Sequence, residues 1–326
     1  MIEDETDIIA HPAPDINNDR SAIQWSDCLC RGDIRGDTGG THYQNGNGGV
    51  KMGIKELIRT ELQELFKGCE GNRIPEEGAL KGCAGLEIYD SPLIGFADAA
   101  DPLFEEFKKK EIIGEPYRSP KEWLPGAETV ISIFLPYTEQ VRKSNRGNPE
   151  RTSNGWLHAR VEGHELLNAY IKKVVGYFKD KSLDCIAPLL DPGFKVQFHE
   201  GTHHGAEGIS AASSWSERHA AYVCGLGTFS LTRSLITKKG AAGRYGSVII
   251  GAKYDPDERT YTGLYDHCIR CGACISRCPV NAISLERGKN QKKCFEWVEK
   301  HTKVEFAPRY GCGKCQTGVP CEAGIP

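Results

Sequence analysis

Helix-like and strand-like segments alternate through about the first 250 residues, and eight of the chain's 14 cysteines crowd into roughly the last sixty. These two observations predict a mixed α/β (α+β) body followed by a small cysteine-built module. Residues 1–51 fit neither part. They are rich in Asp, Asn, Gly and Thr, and the run from Gly39 to Gly49 has too little apolar surface to offset its ordering entropy.

The cysteine spacing is the most specific signal. It reads Cys268-x2-Cys271-x2-Cys274-x3-Cys278-Pro279, then Cys294, then Cys312-x2-Cys315-x5-Cys321. An iron–sulfur cluster needs four converging thiolates. A C-x2-C-x2-C turn supplies three, and in two-cluster ferredoxins the Cys before Pro serves the other cluster. The spacing therefore predicts two [4Fe-4S] clusters. Cys268, Cys271, Cys274 and Cys321 would hold one, and Cys278, Cys294, Cys312 and Cys315 the other. Zinc sites favour paired C-x2-C units without the third Cys and following Pro. A disulfide framework does not suit cysteines clustered locally in a chain with no export signal. The expected division is thus a low-complexity, flexible extension over 1–51, an α/β domain over 52–258, and a 2x[4Fe-4S] ferredoxin-type domain over 259–326. Met52 precedes the first amphipathic segment and is the expected native start. Cys28-Leu29-Cys30 reads as incidental.

The elements follow in order. Ile54, Leu57, Ile58, Leu62, Leu65 and Phe66 recur at helical spacing. Residues 85–97 hold strand-like apolar pieces broken by turn residues. Thr129–Leu135 reads as a buried strand and 156–180 as a long helix. Ile186–Leu190 and Phe194–Phe198 read as further strands. Arg218–Val223 is a short helix stopped by Gly225-Leu226-Gly227, and Ser247–Gly251 is a buried strand. Cys69, Cys83, Cys185 and Cys224 are scattered and read as ordinary thiols.

Net charge is −3, so no global basic excess marks a nucleic-acid binder. No apolar stretch approaches the ~20 residues of a membrane helix. With no signal peptide either, a cytoplasmic protein is expected.

Three segments now carry a resemblance. Ile94-Gly95-Phe96-Ala97, Trp123-Leu124-Pro125-Gly126-Ala127 before Val130-Ile131-Ser132, and Glu217-Arg218-x5-Cys224-Gly225-Leu226-Gly227 resemble, in that order and with the cysteine module, the epoxyqueuosine reductases. Those enzymes are cobalamin-dependent iron–sulfur reductases related to reductive dehalogenases. The resemblance implies a nitroreductase-like body holding cobalamin. It implies clusters that feed electrons to cobalt, and reduction of an organic substrate that loses an epoxide oxygen, a halide or a similar group. It also implies roles for particular residues: Glu217, Arg218, Gly225, Gly227 and Arg244 against the cofactor, and Tyr222 as a proton donor. Arg244 would sit in a loop over 240–246 near the corrin edge. A ferredoxin- or flavodoxin-type protein would donate electrons.

The chain departs from this pattern in two places. The family's general-acid Asp falls on Ala211 counting back from Arg218, or on His199 counting forward from Phe198. The counts differ because about a dozen residues, from Glu200 to Ala211, are inserted. The insertion makes His199, His203 or His204 the expected proton donor, since imidazole titrates near cytoplasmic pH. The second departure is Cys315-x5-Cys321 followed by Glu322, longer than the family's usual spacing. The absence of a helical tail after Pro326, with the near-neutral charge, argues against tRNA as partner and toward a small molecule or modified nucleoside. Two alternatives stay open: a two-cluster electron-transfer protein without a corrinoid, and a flavin-binding reductase.

Overall fold

The structure is a computed structural model that describes residues 53–203 and 206–326, with the side chains of 198–211 outside the description. The expected 1–51 extension, Cys28, Cys30 and Met52 lie outside the described residues. Val50–Pro326 forms a single unit.

Its centre is a four-stranded antiparallel sheet. Strand β1 (Leu93–Asp98) pairs with β2 (Thr129–Pro136), β2 with β8 (Gly243–Ile250), and β8 with β3 (Cys185–Ile186). All eight residues of β2 are buried, so both faces are covered. Alternation divides them. Ile131, Ile133 and Leu135 meet α1 (Ile54–Lys67) and the long α5 (Asn154–Lys179) through Leu62, Phe66, Leu167 and Val174. Val130 on the other face packs with Phe104, Trp123, Trp215 and Ala221. These come from α2 (Pro102–Glu106), α3 (Pro120–Trp123), the turn after the hairpin below, and α6 (Glu217–Val223). The β-branched, unbroken TVISIFLP run is what a strand buried on both faces requires.

Helix α5 begins where Ser153 accepts a hydrogen bond from the Trp156 N–H. The short α4 (Glu139–Arg146) precedes it. The segment expected as a strand over 186–190 is instead the two-residue β3 followed by a 3-10 turn at Pro188–Leu190. Pro188 removes the N–H that a longer ladder would need. Within 85–97 only β1 is a strand; residues before it make isolated bridges at Glu87 and Tyr89. The inserted segment is not a loop. It forms the hairpin β4 (Val196–His203) and β5 (Ala206–Ser213), with Val196 opposite Ser213 and His199 opposite Ser210. Another small hairpin, β6 (Gly227–Phe229) with β7 (Leu235–Thr237), follows α6.

The cysteine-rich module comprises α7 (Ala273–Ser276), the β9 (Ile283–Ser284) and β10 (Gly288–Lys289) ribbon, α8 (Gln291–Trp297) and α9 (Lys303–Phe306). It closes on the body through buried polar contacts. Arg146 grips Glu322 with Nη2 and Nε at 2.7 and 3.0 Å, and Arg142 lies 3.4 Å from the same carboxylate. Gly240 is required here, since a Cβ would stand 2.2 Å from the Glu322 carbonyl oxygen. The longer Cys315–Cys321 spacing thus delivers Glu322 to α4. The Glu322 side chain is only 5% exposed, so Glu322→Ala should destabilise the chain by on the order of 3 kcal/mol in denaturant unfolding. A loss under about 1 kcal/mol would place the contact among weak surface pairs.

Candidate functional site

The eight cysteines fall into two groups in space. Cys268, Cys271, Cys274 and Cys321 line one cavity with Leu231 and Val319. Burial, reinforced by neighbouring thiols, pushes Cys274 up to about 12 and Cys321 up to about 11. In the second group Cys315 has Cys294 and Cys278 as neighbours. Burial, with Cys315 and Cys294 beside it, pushes Cys312 up to about 11. Among the described residues, no three Cys, His, Asp or Glu side chains close on a single metal ion. The Ala282 N–H donates to Cys278 Sγ at 3.2 Å, the kind of contact that stabilises a thiolate. Left-handed Gly272 and Gly313 allow the tight turns between ligands.

Beside the second group Lys289 neighbours Arg218, and Arg218 in turn neighbours Tyr245, Arg233 and Arg244 near the start of β8. Arg218 is solvent-exposed, and Tyr245 and Lys289 are half-buried. Burial lowers Arg218, and Arg233 and Arg244 lower it further, outweighing Tyr245. Burial opposes the charge of Lys289, but the Cys315 and Cys294 thiols outweigh it and hold the amine above its usual value. Arg244 stands on strand β8 opposite Leu135, not in the expected loop. From there its Nη2 donates to His164 Nδ1 at 2.8 Å. Burial, then Arg244 and Arg160, push His164 down to about 3, so the ring is neutral and accepts.

Other expected residues are placed differently. Tyr222 is 8% exposed and packs against Phe229 and Tyr261; burial raises its phenol. This is a core position. Gly225, at φ 75°, ends α6 in the left-handed conformation. Gly227 lies against β7, where a Cβ would stand 2.1 Å from the Ile236 carbonyl oxygen. Both glycines are thus accounted for by chain packing. Cys224 Sγ points into the core and donates to the Val130 carbonyl oxygen at 3.4 Å. His199 and His203 sit on β4, but their side chains, and His204 entirely, lie outside the described residues. The β5 strand packs beside α8, which carries Cys294.

Arg160, His164, Arg233 and Lys289 were not singled out from sequence. The legible signal was the Arg160/His164 pair, four apart on one helix face.

Glu217 is held apart from the basic groups. Both its carboxylate oxygens are buried without a hydrogen-bond partner, as is Ser132 Oγ. Trp215 Nε1 is committed to Ser247 Oγ at 2.9 Å. Burial pushes Glu217 up to about 7, against weak opposition from Ser247 and Trp215.

The comparisons with known proteins can be set against this geometry. Residues 264–284 match the 4Fe-4S binding domain. The epoxyqueuosine reductase of Staphylococcus aureus (strain NCTC 8325 / PS 47) is 24% identical over 223 residues, covering 63% of this chain and 51% of that protein. The chain is thus distantly similar to epoxyqueuosine reductase. Among solved structures, epoxyqueuosine reductase from Streptococcus thermophilus aligns with TM-score 0.45 and 18% identity, over 84% of this chain and 68% of that one. An epoxyqueuosine reductase with an epoxyqueuosine-modified tRNA-Tyr stem loop gives 0.47 and 18%, over 82% and 66%. A catabolic reductive dehalogenase gives 0.42 and 14%, over 83% and 36%. The chain spans about half the length of the curated relative it matches.

The raised Glu217 has a signed consequence for stability. Its folded value of about 7 exceeds the ordinary 4.5, so the folded chain binds the extra proton between these values. Stability therefore falls as pH rises from about 4.5 to 7, by roughly 3 kcal/mol in all. Glu217→Gln should be more stable than the parent above pH 7, and the gain should vanish near pH 4.5. A pH-independent difference between the two melting curves would contradict this.

Proposed function

We propose that the chain is an iron–sulfur reductase whose body takes a corrinoid and reduces an organic substrate. The observation that carries this reading is the adjacency of the second thiol group to the basic cluster at the start of β8: Lys289 neighbours both Cys294 and Cys315 on one side and Arg218 on the other. Arg218, Arg244 and Tyr245 gather hydrogen-bond donors there, which suits a cofactor rimmed by amide carbonyls and a phosphate. Two [4Fe-4S] clusters and a cobalamin, when bound, would supply one-electron carriers and a strongly reducing metal centre.

The chain's own part is to hold these groups, exclude water and deliver a proton. In this reading the first and second thiol groups each hold one cluster. Arg218, Arg244 and Glu217 serve the cofactor side, and a hairpin imidazole supplies the proton. Tyr222, buried among rings, is a weaker donor candidate. The substrate is a small molecule or modified nucleoside with an epoxide, halide or comparable leaving group. A ferredoxin- or flavodoxin-type protein supplies electrons. One solved relative carries a modified tRNA stem loop, which keeps tRNA as a secondary reading here. The compartment is cytoplasmic in this reading; among the described residues no helix is long and apolar enough to cross a membrane.

Anaerobic reconstitution with iron, sulfide and cobalamin tests the assignment. The expected result is a retained base-off Co(II) EPR signal and iron for two clusters. Cys271→Ser and Cys294→Ser should each lose about half of that iron. Clusters without bound cobalt would favour the electron-transfer alternative, and a flavin spectrum after native purification would favour the flavin one.

The hairpin donor has its own test. Substituting His199, His203 and His204 singly by Ala should cost one variant roughly a hundredfold in turnover at neutral pH. Equal turnover in all three removes the hairpin from the proton path.

A further inference from the structure

One member of the first thiol group faces solvent. Cys271 is the exposed one among the eight cysteines of the module. The cavity that this group lines is bordered by Ile269, Arg270 and Pro326, and by Leu231 and Thr232 of the β6–β7 turn. Ile269 is 59% exposed, and Leu264 and Tyr265 just before it are exposed as well. The Cys268 N–H donates to the Tyr265 carbonyl oxygen at 2.8 Å, so a single turn brings these side chains to the rim of the cavity. Large apolar groups gathered in the open mark a surface that another molecule covers.

Two arginines flank that patch on unusual backbone. Arg233 and Arg270 have φ of 61° and 51°, a left-handed conformation that residues other than Gly, Asn and Asp rarely take. Glycine would hold either turn at less cost, so the strain is held for the sake of the side chain. Arg270 lies over the Tyr265 ring, its guanidinium carbon 5.8 Å from the centroid. Arg233 neighbours the same phenol, and its carbonyl oxygen accepts from Arg218 at 2.8 Å, which anchors the turn. Among the described residues neither Arg233 nor Arg270 makes an ion pair. Asp266, the acid of this segment, turns its carboxylate back to the Thr262 and Gly263 N–H groups at 3.1 and 2.9 Å. The rim is therefore basic, although the chain as a whole carries −3. Tyr and Arg are the side chains that interfaces favour, and a basic rim selects an acidic partner.

We propose that Leu264, Tyr265 and Ile269, flanked by Arg233 and Arg270, form the docking surface for a small acidic protein that carries one electron at a time. The inference deepens the reductase reading and rests on it for the direction of electron flow. One electron leaves the docked carrier and enters the cluster held by the first thiol group. The carrier is oxidised by one electron, the cluster is reduced by one, and no bond or proton moves. Entry at this group follows from exposure, since none of the second group's thiols is exposed. Electron-transfer encounters use small interfaces, which suits three apolar side chains and two charges.

The test uses the full chain with its clusters reconstituted and no corrinoid. It is titrated at low ionic strength with an oxidised acidic flavodoxin and, separately, an oxidised acidic ferredoxin, and followed by calorimetry, so binding is read without turnover. At least one carrier should bind saturably, and more weakly as salt is raised. Arg270→Glu and Tyr265→Ser should each raise its Kd roughly tenfold or more. Lys67→Glu, an equal change of charge on an exposed lysine of α1, should leave it unchanged. Cluster absorbance, melting temperature and reduction by dithionite, which needs no docking, show that each variant is intact, and the two patch variants stand independently. Binding by neither carrier, or equal affinity in all variants, overturns the proposal. So does a parent chain that sediments as a dimer and becomes monomeric in Arg270→Glu, which gives the face to a second copy. Failure to retain cobalt on reconstitution would sink the reductase reading and leave the carrier titration as informative as before.

Discussion

Asn145 is the residue on which the arrangement of the site depends. It is fully buried at the end of α4. Its Nδ2 donates to the Cys312 carbonyl at 3.0 Å and to Thr317 Oγ1 at 3.3 Å. Its Oδ1 accepts from the Ser153 N–H at 3.1 Å and from Lys314 Nζ at 3.0 Å. One amide thus joins the loop that bears Cys312 and Cys315 to the first turn of α5. Arg160 and His164 ride on that helix, so this side chain ties the second thiol group to the helix that carries them. Its backbone oxygen accepts from Lys314 and from Arg277 as well. Loss of the amide would orphan several buried groups at once, each worth about 1–3 kcal/mol.

The sequence made the ligand set legible and left the docking illegible, for a physical reason. Thiolate ligands occur at spacings set by one tight turn, so Cys268 through Cys278 announce themselves locally, and the buried TVISIFLP strand does likewise. Asn145, Lys314 and Glu322 act across 169 and 176 residues of chain, and nothing local marks such pairs. Glu322 was visible only as an oddity of spacing after Cys321. The hairpin was missed because a run with three His, two Glu and several Gly has no period-two apolar pattern. Arg244 was placed in a loop because Gly243 and Gly246 mask the strand. Gly246 is needed there: a Cβ would stand 2.9 Å from Ile171.

The electrostatic environment differs between the two thiol groups. The influences that raise Cys274 and Cys321 are burial and other thiols. Around the second group stand cations: Lys289 beside Cys294 and Cys315, and Lys314 beside Cys312. Burial lowers Lys314 to about 8, and Cys312 works against that fall. Positive charge near sulfur ligands favours the more electron-rich state of whatever they bind. The cations thus gather beside the second thiol group, where Lys289 in turn neighbours Arg218 and Arg218 neighbours Arg244.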